Sequence, residues 1–105
     1  MKHHFPKLIR RLKAYEGGRF DAYQLDADGC RIFFASYPAG TEIEQHTHET
    51  ENVGVITAGE LILITADGEN RYRTGDWYHL EANQPHAARF EQQTSEVEFW
   101  FADDD

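Results

Sequence analysis

A chain of 105 residues, 40% apolar and with seven Phe, five Tyr and two Trp, has the material for one core and predicts a single domain. Nineteen carboxylates against ten Lys and Arg give a net charge of −9, which repels phosphate backbones and excludes nucleic acid from the expected partners. The lone Cys30 excludes an internal disulfide framework and predicts a reducing, cytoplasmic setting, and no apolar run is long enough for a membrane span or a secretory signal.

The first expected element is an arm or short helix within residues 1–18. Arg10 and Arg11 sit beside Leu8, Ile9 and Leu12, which reads as one amphipathic turn with a solvated basic face. His3 and His4 lie near a terminus and imply no function. Gly17-Gly18 ends the pattern, and a single barrel is expected over residues 19–102. Strands are predicted at 19–25, 31–37, 42–48, 53–57, 60–65, 70–73, 77–80, 86–91 and 96–101. Turn signals separate them: Asp28-Gly29, Pro38-Ala39-Gly40, Asp67-Gly68 and Thr74-Gly75-Asp76. In the last strand Val97, Phe99 and Phe101 share a face, and Phe99 is expected to fill the core. An acidic tail closes the chain at 103–105. Many short strands with no interleaved helix predict an all-β antiparallel sandwich or barrel, and periodicity alone does not choose between a jelly roll and another small barrel.

The chemistry concentrates in Gly40-x5-His46-x-His48-x3-Asn52-x6-Gly59, followed by Gly75-x5-Glu81-x-Asn83-x2-His86. If His46 and His48 lie on one strand, alternation turns both imidazoles to the same side, where each offers a nitrogen to one ion. The two blocks resemble, in order and spacing, the motifs of the cupin superfamily, G-x5-H-x-H-x3,4-E-x6-G and G-x5-P-x-G-x2-H-x3-N. The resemblance spans Gly40 to Phe90 and implies a cupin-type jelly-roll barrel preceded by a short N-terminal helix or an extended arm. It also implies one divalent transition metal held by His46, His48 and His86, with Fe, Mn, Ni, Zn and Cu all open.

The chain departs from the pattern at four positions. Asn52 stands where the family has a ligand glutamate, as a weak ligand or a neighbour of the ligands. Glu81 and Asn83 replace the usual Pro and Gly, and Phe90 replaces the closing Asn. Glu51 carries the missing charge, but alternation turns it to the opposite face. Glu49 reaches the site only if its loop folds inward. A set of three neutral imidazoles with open positions is what some thiol-oxidising cupin dioxygenases have, whereas metal-free members such as sugar epimerases leave the opposite reading open.

Alternation places Ala88 and Phe90 with His86, Gly54 and Ile56 with Asn52, and either Tyr78 with Leu80 or Trp77 with His79 inside the barrel; the first pair is favoured because it buries less polarity. His79 reads as a strand or interface residue. The expectation is a metal-dependent, dioxygenase-like enzyme for a small organic substrate, with Tyr78 and Glu51 as candidate acid–base residues. A non-enzymatic binding or sensing module and a metal-dependent isomerase or lyase are the alternatives. The resemblance and the aromatic Phe33, Phe34, Trp77 and Trp100 predict a homodimer.

Overall fold

A computed structural model describes residues 5–15 and 20–101; Gly17-Gly18, His3, His4 and the acidic tail lie outside them. After one 3₁₀ turn at Ile9–Arg11 the described chain is made of strands: β1 Lys13–Tyr15, β2 Asp21–Ala27, β3 Cys30–Tyr37, β4 Thr41–His46 and β5 Asn52–Ala58. The remainder are β6 Glu60–Thr65, β7 Gly68–Arg73, β8 Trp77–Leu80, β9 His86–Phe90 and β10 Thr94–Phe101. They pair antiparallel in two sheets, one of order β1-β2-β3-β10-β5-β8 and one of order β4-β9-β6-β7. The architecture is the all-β jelly roll that the resemblance implied.

The expected amphipathic helix shrinks to that single 3₁₀ turn. Its N-cap, Leu8, offers no side-chain acceptor, its first turn holds no acidic residue, and both arginines fall in so short a segment. Extended backbone wins from Lys13 onward, because there the chain gains a ladder with Gln24, Tyr23 and Ala22 of β2. The arm is anchored by Phe5, which is buried edge-on against Phe34 with ring centres 5.8 Å apart.

The two sheets face each other across a cavity of about 850 Å³. Ala22, Ala35, Tyr37, Ile56, Leu61, Leu63, Tyr78, Leu80, Ala88 and Phe90 form the buried cluster around it. On β8 the burial alternates, so Tyr78 and Leu80 point into the cavity and Trp77 and His79 point out. On β9 the alternation likewise sends His86, Ala88 and Phe90 inward. The reverse of the expected orientation holds on β10. Phe99 does not fill the core; it is half-buried on the outer face, stacked on Trp77 at 6.2 Å. Glu96, Glu98 and Trp100 line the cavity instead.

Candidate metal centre

His46 is the last residue of β4 and lies opposite His86, the first residue of β9, across a register shift that follows Ile43. β4 ends there, so His48 belongs to the loop and not to the strand on which it was expected. It still meets His46, because the loop is pinned: the Asn83 N–H donates to the His48 carbonyl at 2.6 Å. Asn83 holds φ of 65°, a left-handed conformation that asparagine tolerates better than most residues. The second-motif turn therefore keeps its shape without the family's glycine.

The three imidazoles each offer a nitrogen, and these atoms lie within 4.8 Å of one another. His46 Nε2 and His48 Nε2 are 2.9 Å apart. The Nδ1 atoms of His46 and His86 face the carbonyls of Glu44 and Gln84 at 2.7 and 2.9 Å. An Nδ1–H donated to each carbonyl fixes the tautomer and leaves Nε2 as a lone pair, the usual arrangement of metal-binding histidines. Burial, and then the charges of His46 and His86, push His48 down to about 4, so it is neutral at pH 7. Burial also lowers His86, against the opposing pull of the Gln84 carbonyl. Three imidazoles whose nitrogens converge fit a cation. Two imidazole nitrogens held at about 2.1 Å from one ion, at a right angle, stand about 3 Å apart.

Residues 33–102 match the family model described as a cupin domain. The chain belongs to the cupin family. Among solved structures it resembles an RmlC-like cupin from Shewanella frigidimarina, with a TM-score of 0.80 at 16% identity over 95% of this chain and 91% of that one. KdgF from a Halomonas species gives a TM-score of 0.78 at 11% identity, covering 90% of this chain and 91% of its own. Protein NMB1881 from Neisseria meningitidis gives 0.72 at 20% identity, covering 94% and 100%. No curated protein matches the chain by sequence. At these identities the likeness is one of fold.

In this cupin the other expected site residues separate. Asn52 is buried on the cavity wall, and its amide nitrogen donates to the Phe99 carbonyl at 3.2 Å, so the amide oxygen is what it has left for a ligand. Glu51 does not join the site: its carboxylate lies outside, against His79. Glu49 is exposed. Phe90 closes one side of the cavity, stacked on Tyr37 at 4.2 Å. Tyr78 is buried with its hydroxyl donating to Glu96, and the Tyr37 hydroxyl donates to Glu98.

Glu96 and Glu98 were not singled out by sequence reasoning. The signal was present, as two acidic residues spaced by two in the otherwise apolar run 96–101, but the aromatic side of that run drew the inward assignment. Trp100 joins them to the histidines: its indole N–H donates to Glu98 at 3.2 Å, and its ring meets His48 edge-on at 4.5 Å.

Proposed function

We propose that this cupin is a metal-dependent enzyme that transforms a small organic molecule inside its barrel, with dioxygenase-like chemistry as the reading to test first. The observation that carries it is the convergence of the His46, His48 and His86 nitrogens on one point of the cavity wall. When bound there, a divalent transition metal supplies Lewis acidity and, if redox-active, a place for dioxygen beside the substrate. The chain's own contribution is to hold the imidazoles oriented, and to surround the substrate with Leu61, Leu63, Leu80 and Phe90, which exclude water. A volume of about 850 Å³ suits a small ligand.

The test is metal content of the purified protein beside a His46→Ala/His86→Ala variant, followed by oxygen uptake with small acids, thiols and phenols. About one metal per chain in the wild type and none in the variant is expected. Reconstitution should also raise the melting temperature of the wild type alone, since ligand at a thousandfold its Kd adds about 4 kcal/mol to the folded state. A wild type that stays metal-free after reconstitution overturns the reading. A homodimer and a reducing, cytoplasmic setting belong to the same proposal. The first is supported by the exposed Trp77 beside Phe99, the second by the single thiol of Cys30.

A further inference from the structure

The cavity has a second polar pole besides the histidines. Glu96 and Glu98 project from β10 on the same side, with residue exposures of only 2% and 4%. Their backbone neighbours are Ala35 and Phe33 on β3, and Ile56 and Gly54 on β5, none of which carries a charge. No Lys, Arg or His pairs with either carboxyl among the described residues. Glu60 shows what a structural buried carboxylate in this fold has: Arg71 at 3.0 Å and Arg73 at 2.9 Å. What Glu96 and Glu98 have instead are neutral donors. Tyr78 donates to Glu96, and Tyr37 and Trp100 donate to Glu98.

Two adjacent buried carboxyls without a counter-cation do not both ionise. Both neutral would turn one oxygen of Glu98 into a hydroxyl, whereas both of its oxygens already accept, one from Tyr37 and one from Trp100. Burial and the facing Glu98 raise Glu96 well above the usual carboxylate range. Burial also raises Glu98, while bonds from Tyr37, Trp100 and Glu96 hold it back. Glu98 accepts donors on both of its oxygens and Glu96 on only one, so the proton is assigned to Glu96 and the charge to Glu98.

We propose that Glu96 and Glu98 share a single proton and form, with the hydroxyls of Tyr78 and Tyr37, an acid–base centre that moves a proton between carbon and oxygen of a small carbonyl compound in the cavity. The inference rests on the reading that the barrel is the substrate site. In the step, the carbon–hydrogen bond next to the carbonyl breaks and its proton passes through the Tyr37 hydroxyl to the Glu98 carboxylate. The bonding pair becomes the new carbon–carbon π bond. The Tyr78 hydroxyl turns from Glu96 to the substrate, the carbonyl π pair takes its proton, and the Glu96 carboxyl then gives its own proton to the phenol oxygen. The pair ends with one proton, now on Glu98, and the product is an enol, so no oxidant or reductant is consumed. Return of a proton to the same carbon completes an exchange; where that carbon carries a hydroxyl the product is an enediol, and protonation at the former carbonyl carbon completes an isomerisation.

Two measurements on the full chain test this. Infrared difference spectroscopy of the metal-free protein should show one protonated buried carboxyl at pH 7, absent in Glu96→Gln. None, or two, overturns the shared proton. Deuterium incorporation from heavy water into dihydroxyacetone and pyruvate, followed by NMR on metal-reconstituted protein, should be catalysed by the wild type. It should fall about 100-fold in Glu96→Gln and in Tyr78→Phe, the second keeping both carboxyls, with metal content unchanged. Exchange absent in the wild type, or undiminished in both variants, overturns the acid–base role. A protonated carboxyl found in a protein that takes up no metal refutes the metal centre alone, so the two failures are distinguishable.

Discussion

At residue scale the cavity depends on one position that has no side chain. Gly54 of β5 lies opposite Tyr78 of β8, and the tyrosine ring and hydroxyl occupy the space where a Cβ would stand. Gly54→Ala is expected to cost about 1–3 kcal/mol in urea denaturation, the range for overpacking a core. In a Tyr78→Ala background the same substitution should cost under about 0.5 kcal/mol, because the clash is gone; equal costs in both backgrounds would show that the ring is not what requires glycine. The sequence put Gly54 on the inner face but had no means of placing a tyrosine over it, since that contact depends on the register between two strands. Asn83 was more legible. It was marked as standing in for a glycine, and asparagine is the residue that keeps a left-handed φ at least cost.

At the scale of the element, β10 shows where alternation stops being informative. Period two assigns residues to two faces without saying which face is inside. The apolar set was given the core by default, whereas the structure turns it outward and buries Glu96 and Glu98 beside phenol donors. β4 failed differently: the histidine pair was read as one strand, but the strand ends at His46 and the loop brings His48 back. The strands themselves were largely legible, because β-rich runs and turn residues are local signals. The buried pair also sets a pH dependence. Facing Glu96 are Glu98 on its own strand, Tyr78 from β8 and, through Glu98, Tyr37 from β3. Its folded value lies above the ordinary 4.5, so between those two values the folded chain keeps a proton that the unfolded chain has released. That stabilisation is complete below 4.5 and is lost as pH rises through the window, at up to about 1.4 kcal/mol per pH unit. The stability of the wild type relative to Glu96→Gln should therefore decline as pH rises above 4.5 in parallel urea titrations. A flat or rising difference would mean that Glu96 is ionised in the folded chain.

At the scale of the molecule, the two sheets present unlike outer faces. The four-stranded sheet is dressed in ion pairs: Arg89 with Glu69 and Glu91, and Glu60 with Arg71 and Arg73. Ile62 is fully buried there between the strand positions of Arg71 and Arg89, as expected if their aliphatic stems cover it. The six-stranded sheet turns Ile32, Phe34, Val53, Val55, Val97 and Phe99 outward, and Trp77 is 59% exposed beside them. Phe5 packs on Phe34 at one end of this face. Of the four aromatics first associated with dimerisation, Phe33 and Trp100 line the cavity, so only Phe34 and Trp77 remain available to an interface. A second copy is the occupant we propose for the open end. The patch is continuous across β3, β10, β5 and β8, and an apolar patch packed about a two-fold axis is self-complementary. Sedimentation should give twice the 12.2 kDa chain mass for the wild type and the single mass for Trp77→Glu. Because Trp77 lies on the surface, that variant should unfold within about 0.5 kcal/mol of a Trp77→Gln control and bind the same metal. A wild type that sediments as a monomer at every concentration leaves the apolar face without the partner proposed for it. A Trp77→Glu variant that stays dimeric moves the interface to another surface.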